Sequence, residues 1–455
     1  MKATKIFMMA ALALTFAACS NDDTDFAQQP DNNEITITAT VSSDDGATTR
    51  ALSIDGSNIA STWLTTDEFA ILFNDGTSEV KRVATVSSIN GSTVTITFTI
   101  PSSLASNTPC TIVYPASAAN ATNTGADVAA ALATQNGTIG NCPEVRVGTA
   151  TIDKDNHNLT SVTNLTAQNA IFKFTLQDLS TAAKSATEFK VSDGSGSVIT
   201  TVTPGSASGE LYVALPVMAA GTYWFNATID SKPYIAKATT AAPTVAGKYY
   251  QTTVKMATIG DVILSDGKFA VRTSNTGTER AMIAYLGSET GEAAPYNHGL
   301  ALALTDANSG STCKWKTSNT DAGHTKQTNK TFTEESGLQY NDVTHNSDTY
   351  PAFKAAIANN DIAAPTSCSS WFLASGYQWK KMIDACKNVL GTQNNYLDLK
   401  GGFSGITGAS NLQSSDYWSS TEYDSSHAWY YGFSNGVCNH VGKDFNDRVR
   451  ACLAF

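Results

Sequence analysis

The cysteine and histidine side chains are the groups in this 455-residue chain that could ligate a metal ion or act as nucleophiles. There are eight cysteines and six histidines, and no two cysteines have the Cys-x-x-Cys spacing that zinc sites use. The chain also contains no Gly-x-Ser-x-Gly and no His-Glu-x-x-His motif. We therefore expect no zinc centre, no cofactor and no enzymatic activity.

Two groups near the C-terminus could bind a ligand instead. Asn446 and Asp447 supply oxygen atoms of the kind that calcium prefers, with a simple polar turn as the alternative. Trp429, Tyr430 and Tyr431 could stack on sugar rings. Successive side chains of a strand point to opposite faces, so Trp429 and Tyr431 share one face and Tyr430 takes the other. Because at least one face must be core, we expect Tyr430, Asn446 and Asp447 to be the ligand-binding candidates.

Cys19 differs from the other cysteines in its surroundings. Lys2 and Lys5 precede an uninterrupted run of apolar and small residues at 6–18, directly before this cysteine. At 1.5 Å per residue such a run covers ~20 Å, less than the ~30 Å of a bilayer core. Residues 1–18 therefore predict a signal peptide, and an ordinary one with an incidental cysteine is the alternative.

The string FAAC at 16–19 resembles the lipobox of bacterial lipoproteins. This resemblance implies that Cys19 is acylated, for example with palmitate, and that residues 19–34 form a lipidated tether to the outer membrane. Residues 20–25, SNDDTD, resemble the signal by which Bacteroidia export lipoproteins to the cell surface. We therefore expect a surface-exposed lipoprotein or a pilus component.

Short segments of alternating apolar and polar residues make up most of the remaining chain. Threonine and valine at period two are typical of strands with one solvated face, and Gly, Asn, Asp and Pro separate the segments. The first set lies at 34–41, 69–73, 93–100 and 111–114, and the second at 170–176, 211–215, 222–227 and 249–256. This pattern predicts a mainly β protein with β-sandwiches.

Five strings in these two sets occur in the order found in fimbrillin-like proteins, the type V pilus subunits of Bacteroidia. They are TRA at 49–51 with WLTTDEF at 63–69, YP at 114–115, QNGT at 135–138, NAIFKF at 169–174 and GKYY at 247–250. The resemblance implies two transthyretin-like β-sandwiches, at 35–165 and 166–257. It also implies that the partners include other pilin subunits, bound by donor-strand exchange. The aromatic residues Trp63 and Tyr114 are expected to be core residues.

The same resemblance implies a role for Arg50 and Ala51. Family pilins are cleaved after an arginine that follows the lipidated cysteine, and Arg50 lies 31 residues after Cys19. Cleavage before Ala51 would open a groove for a neighbour's strand, because an unpaired strand edge offers a row of backbone donors and acceptors. Family members that do not polymerise carry the same pair, so cleavage and its absence are both open at this point.

The C-terminal part, 258–455, contains the clearest helix signal of the chain. Apolar residues recur there at three- and four-residue steps on one face: Trp379, Met382, Ile383, Cys386 and Leu390. Ser375 is the expected N-cap and Gly391 the expected stop. Strands are predicted at 261–264, 282–286, 297–304, 417–422, 428–433 and 448–453.

This order resembles the C-type-lectin-like modules of bacterial surface proteins, including the fibrobacter major paralogous domain. The matching strings are GDVILSDG at 260–267, NHGLALAL at 297–304, SWFLASGYQW at 370–379, YWSSTE at 417–422 and RVRAC at 448–452. The resemblance implies an α+β fold and the binding of a glycan or protein. True C-type lectins hold calcium with a Glu-Pro-Asn or Gln-Pro-Asp loop, which this sequence lacks.

Lipidation of Cys19 would leave seven cysteines in an oxidising compartment, enough for three disulfides and one free thiol. The lectin-like resemblance implies that Cys386 on the helix bonds to Cys452 in the closing strand. Cys110 and Cys142 are a candidate pair in the first sandwich. Three cysteines then have no assigned partner: Cys313, Cys368 and Cys438.

An enzymatic alternative comes from the related formylglycine-generating fold, which binds copper through two closely spaced cysteines. Cys438 and Cys452 are fourteen residues apart, which does not match that arrangement. The net charge of −11 and the pI near 5.0 argue against a nucleic-acid partner.

Together these features predict a cell-surface adhesin, a tip or accessory subunit of a fimbrillin-type pilus. Its C-terminal module would bind a host or bacterial surface glycan or protein. Two alternatives stay open: a surface glycan-binding lipoprotein of a nutrient-uptake system, and a structural pilus anchor. Cleavage at Arg50 would favour the pilus subunit, and its absence would favour the nutrient-uptake protein.

Overall fold

The computed structural model describes residues 34–43, 53–55, 58–60, 63–391, 393 and 395–455. Over these residues the chain is mainly β, as predicted from the period-two pattern. None of the helices among them is both long and apolar enough to cross a bilayer. Cys19, Arg50 and Ala51 lie outside the described residues, so lipidation and cleavage there stay predictions.

The N-terminal segment forms one large antiparallel sheet and a separate pair of short strands, and it contributes one strand to a second large sheet. Its elements are β1 (Glu34–Ser42), β2 (Ser53–Asp55), β3 (Asn58–Ala60), β4 (Glu68–Asn74), β5 (Glu79–Asn90), β6 (Thr93–Pro101), β7 (Thr108–Tyr114), α1 (Val128–Leu132), β8 (Thr134–Gln135), β9 (Arg146–Asp153), β10 (Asn158–Thr160) and β11 (Thr166–Ala167). The sheet order is β1-β6-β5-β4-β7-β9-β10, and β11 pairs with β9.

This first sheet curls so that its two ends meet. The backbone N–H of Thr38 in β1 donates to the carbonyl of His157 (3.1 Å), and that of Leu165 donates to Ser42 (2.7 Å). Alternate residues of β1 and β6 point into one enclosed core, as the period-two pattern predicted. Trp63 and Tyr114 lie in the same core with their ring centres 5.0 Å apart, which confirms them as core aromatics.

The second sheet is formed by the next segment together with one strand from the first. Its elements are β12 (Asn169–Asp178), β13 (Glu188–Ser192), β14 (Val198–Val202), β15 (Glu210–Pro216), β16 (Gly221–Ile229), β17 (Lys232–Thr240) and β18 (Tyr249–Thr258). The order is β15-β12-β18-β17-β16-β13-β14-β8. The side-chain amide of Gln135 in β8 bonds both backbone groups of Ala214, at 2.7 and 2.8 Å. The first segment therefore contributes a structural strand to the second sheet.

The remaining residues, 259–455, form an α+β unit that we call the head. Its elements are β19 (Val262–Leu264), β20 (Phe269–Ala270), β21 (Glu279–Leu286), β22 (Gly299–Ala303), β23 (Cys313–Lys314), α2 (Pro351–Ala358), β24 (Phe372–Leu373), α3 (Gly376–Val389), α4 (Tyr396–Gly401), β25 (Asp416–Glu422), β26 (His427–Gly432), β27 (Cys438–Gly442), β28 (Asn446–Asp447) and β29 (Ala451–Ala454). The main sheet has the order β20-β19-β21-β22-β29-β24, beside a β25-β26-β27 sheet and a β23-β28 pair.

Helix α3 confirms the helix predicted from the apolar period. Ser375 accepts from the N–H of Gln378 at 3.2 Å, and the Gln378 side chain accepts from the N–H of Ser375 at 2.9 Å, which is a complete capping box. The helix ends at Val389, two residues before Gly391. Trp379, on its inner face, is fully buried.

The cysteines correct one expectation from the sequence. All seven in the described residues are free thiols, so the predicted disulfides Cys386–Cys452 and Cys110–Cys142 are not formed. Cys110 and Cys142 belong to different hydrophobic clusters, because Cys110 points into the first core and Cys142 towards the second sheet. Cys386 instead donates its thiol hydrogen to the carbonyl of Ala284, 3.4 Å away.

An ion cluster around Asp306 fastens the final strand of the head. The Asp306 carboxylate accepts from Arg450 Nε (2.9 Å), from Arg448 Nη1 (3.2 Å) and from the Tyr417 hydroxyl (2.9 and 3.0 Å). The strand predicted at 448–453 begins only at Ala451, because Arg448 forms an isolated bridge with Tyr417 and both arginines turn to this carboxylate.

Replacing Asp306 with Asn should lower the free energy of unfolding by about 3–5 kcal/mol, because it leaves the buried Arg450 without its counter-charge. Urea unfolding followed by circular dichroism measures this change. Asp348 pairs with Lys354 on the surface, so Asp348→Asn is the matched control and should change stability by less than about 0.5 kcal/mol. Equal effects of the two substitutions would contradict the central role of Asp306.

Candidate functional site

The predicted ligand-binding residues lie on and beside the β25-β26-β27 sheet of the head. Trp429 is buried in an aromatic cluster with Phe332 and Tyr377, and Tyr431 packs against the same cluster. Tyr430, between them in the sequence, stays half-buried and lies opposite Trp418 of β25. Tyr430 therefore lies on the opposite face from Trp429, as predicted, but that face also packs against the core of the head.

Tyr430 has polar neighbours on its own face. It is paired across the sheet with Asn439 of β27. Burial raises the pKa of the Tyr430 hydroxyl, and the negative charges of Asp416 and Asp447 raise it further, while a hydrogen bond with Asn439 opposes the increase. The charges of two carboxylates and a hydrogen bond with one amide therefore act on a single phenol.

Asp447 is the most perturbed group of this set. It lies in β28, whose only strand partner is the two-residue β23. Burial raises the pKa of Asp447 to about 7, and the charge of Asp416 adds to the increase. Its Oδ2 atom is buried without a hydrogen-bond partner in the described structure. Neighbouring strand residues face opposite ways, so the exposed Asn446 points to the opposite face of β28 from Asp447.

We call Tyr430, Asn439, Asp416 and Asp447 the Tyr430 site. A phenol and an amide can donate hydrogen bonds, and the carboxylates can accept them, beside one half-exposed aromatic ring. Asp447 Oδ2 is buried, so the groups of this site that a ligand could reach are the half-buried Tyr430 and the exposed Asn439. This combination suits a ligand rich in hydroxyl groups, such as a sugar.

Elsewhere in the head, oxygen atoms surround the side-chain ammonium group of a buried lysine. Lys443 is fully buried, forms a salt bridge with Glu422, and donates to the carbonyls of Thr320 (3.1 Å) and Ser425 (2.8 Å). It also lies 5.3 Å from the ring centre of Trp315. Burial lowers the pKa of Lys443, and the Glu422 charge opposes this decrease. Among the residues that the structure describes, no group of three or more His, Cys, Asp or Glu side chains could hold a metal ion.

An Asp–His–His chain in the long segment before α2 has no counterpart in the sequence-based predictions. His345 Nδ1 lies 2.8 Å from Asp342 Oδ1, and His345 Nε2 lies 2.8 Å from His324 Nε2. The chain ends 3.2 Å from the carbonyl of Ser420, and burial lowers the pKa of His324 to about 3. Because it ends on a backbone carbonyl of β25, this chain fixes the long segment against that strand.

The string YWSSTE at 417–422 is wholly buried. Trp418 Nε1 donates to the Cys313 carbonyl (2.9 Å), and Ser419 Oγ donates to the Trp429 carbonyl (2.9 Å). Thr421 donates to Glu335, a carboxyl whose pKa burial raises to about 7. The string therefore organises the core of the head.

Asp447→Asn should flatten the pH dependence of stability. The Asp447 pKa is about 7 in the fold against 3.8 in the unfolded chain, so folding favours the protonated form, and stability falls as pH rises from about 4 to about 7. At pH 8 the variant should be more stable than the native protein by about 1–2 kcal/mol, a value reduced for solvent screening, and near pH 4 the gain should vanish. Urea unfolding at both pH values measures it, with the exposed Asp155→Asn as control. An equal gain at both pH values would contradict the proton linkage.

Comparison with models of protein families and with curated protein sequences finds no match. Among solved structures, the chain is similar to a fimbrial protein from Bacteroides ovatus at 14% identity and TM-score 0.34, over 93% of this chain and 99% of that one. It is similar to a fimbrial assembly protein from Parabacteroides distasonis at 13% and 0.27, over 48% and 90%. The tip fimbrial protein Mfa3 from Porphyromonas gingivalis matches at 11% and 0.23, over 49% and 98%. Identities and TM-scores this low do not place the chain in a family.

Proposed function

We propose that this protein is a cell-surface adhesin, a tip or accessory subunit of a fimbrillin-type pilus that binds a glycan or protein through its head. The observation that best supports this proposal is the position of β1 in the sequence and in the first sheet. The strand ends at Ser42, so it lies wholly on the N-terminal side of Arg50. Cleavage after Arg50 would cut the only peptide link between β1 and the rest of the sheet.

β1 makes contacts that a strand from another subunit could also make. It pairs with β6 over nine residues, from Glu34 with Pro101 to Ser42 with Thr93. Ile37, Ala39 and Val41 on its inner face are 0, 6 and 1% exposed. Loss of β1 would therefore open an apolar groove beside an unpaired edge of β6. A neighbour's strand with the same alternation would refill both, which is donor-strand exchange.

The strand at the other end of the chain is held very differently. β29 lies between β22 and β24, with ladders on both sides. Phe455 is buried, and its backbone exchanges hydrogen bonds with Gly299 at 3.1 Å. The described β29 therefore cannot leave to serve as a donor without disrupting the head, and this supports a tip or accessory position over a stalk position.

The lipid anchor is the remaining part of the proposal. Acylation of Cys19 would hold the precursor at the outer membrane, and cleavage after Arg50 would release β1 and the lipid together. The anchor would thus serve export and assembly, while the head carries the adhesive function at the Tyr430 site.

Arg50→Ala should keep residues 19–50 attached and prevent incorporation into surface polymers. N-terminal sequencing of the native protein should give Ala51 as the first residue, and immunoblots of sheared cell-surface material should show ladders only for the native protein. Arg280→Ala, in the head, is the control and should behave as native. A native protein that keeps acylated Cys19 and never polymerises would contradict the pilus role and favour a nutrient-uptake lipoprotein.

Tyr430→Ala should weaken binding of the full chain on a glycan array by about tenfold, because a lost aromatic contact and hydrogen bond together are worth roughly 1–2 kcal/mol. Chelation of calcium should leave binding unchanged. Phe445 is an exposed aromatic residue of the neighbouring loop, so Phe445→Ala tests whether the loop binds instead. The absence of any glycan binding, with or without calcium, would favour a protein ligand or a structural anchor.

A further inference from the structure

A cleft separate from the Tyr430 site lies where the head packs against the second sheet. The two parts share a hydrophobic core, and within it the Trp224 ring of β16 stacks on His298 with ring centres 4.0 Å apart. Beside this contact is a cleft of about 640 Å³. β16 and β17 form one wall, and Phe269 and Tyr296 of the head form the other. Its volume lies in the range of small-molecule sites, which are common at interfaces between domains.

The charge of this cleft is opposite to that of the protein. Lys237, Lys255 and Lys268 line it, and no Asp or Glu is among its lining residues, although the whole chain carries a net charge of −11. Lys268 is paired with Asp266 at 2.7 Å. Lys255 is exposed. The cleft therefore keeps two ammonium groups that are not neutralised by a salt bridge.

Lys237 is the ammonium that a ligand would neutralise. It is half-buried, and in the described part of the chain it has no salt-bridge partner. Its Nζ lies 5.6 Å from the ring centre of Trp224 and 5.6 Å from that of Phe269. Burial lowers the pKa of Lys237, and the surrounding Cys368 and Asp266 only partly oppose this decrease. The rings compensate part of the desolvation cost, and an entering anion would compensate more.

The rest of the lining supplies hydroxyl groups and apolar surface. The Thr222 and Thr239 hydroxyls lie 3.0 Å apart on neighbouring strands, and Ser367 lies on the cleft wall. Phe269 and Tyr296 present half-exposed rings. Hydroxyl groups suit the hydroxyls of a sugar, and an aromatic ring suits its C–H face.

We propose that this cleft binds a saccharide that carries a carboxylate, such as a uronic or sialic acid, with the carboxylate at Lys237. The cleft shares no residue with the Tyr430 site, so it is a second binding site. The proposal that this cleft binds an acidic saccharide does not depend on the adhesin role.

Isothermal titration calorimetry of the full chain with methyl β-D-glucuronide tests this proposal, with the neutral methyl β-D-glucoside as the matched probe. The glucuronide should bind at least about tenfold more tightly, because a charged hydrogen bond is lost with the neutral sugar. Lys237→Met keeps most of the apolar stem and should weaken glucuronide binding by about tenfold. Lys330→Met removes an exposed charge elsewhere in the head and should change it less than about twofold.

Three outcomes would overturn the proposal. The first is equal affinity for the two sugars. The second is an unchanged affinity of Lys237→Met for the glucuronide. The third is binding of a tetraglutamate peptide when the glucuronide does not bind. Thermal unfolding checks that Lys237→Met is folded. If it is not, Lys237→Arg should retain glucuronide binding, and loss of that binding in a folded Lys237→Arg protein would also overturn the proposal. Lys237→Met should leave binding of neutral glycans on the array unchanged, so failure of either site is recognisable by itself.

Discussion

The head depends on the buried carboxylate of Asp306. Arg450 is completely buried, and besides Asp306 it donates to the carbonyls of Ala303 and Ser410, at 2.9 and 3.0 Å. Taking a guanidinium out of water is costly unless nearly every donor finds an acceptor, and removing one partner leaves an uncompensated charge. The cluster therefore fixes three segments at once: the end of β22, the start of β25 and the approach to β29.

This constraint separates the residues that build the head from those that can bind. The strings with the greatest sequence specificity, YWSSTE and RVRAC, supply the core and the ion cluster, and most of their polar groups bond within the head. Residues with unused bonding capacity lie beside them, at Asp447 in the Tyr430 site and at Lys237 in the cleft. At Lys237, which lines an open cleft, the fold holds a charged group that burial penalises, and a ligand would reduce that penalty.

The sequence predicted secondary structure where the spacing of neighbouring apolar and polar residues determines it. The strands β1 and β6, the helix α3 and its Ser375 cap follow from side-chain alternation and capping chemistry, which involve only neighbouring residues. The pairing of Gln135 with Ala214 and the contact between His324 and His345 join distant segments, so no local pattern indicates them. The predicted Cys110–Cys142 pair is not formed for the same reason: sequence spacing does not reveal that the two cysteines belong to different hydrophobic clusters.

The two outer strands of the chain differ in the free energy needed to remove them. β1 forms one ladder, with β6, and has only isolated backbone bonds on its other side, including that from Thr38 to His157. β29 has ladders on both sides, and the residues leading into it are bound by the Asp306 cluster. Extracting β29 would expose buried charge, whereas extracting β1 would expose mainly apolar side chains that another strand can cover. Removal of β1 would therefore leave the Asp306 cluster and the pairing of β29 intact.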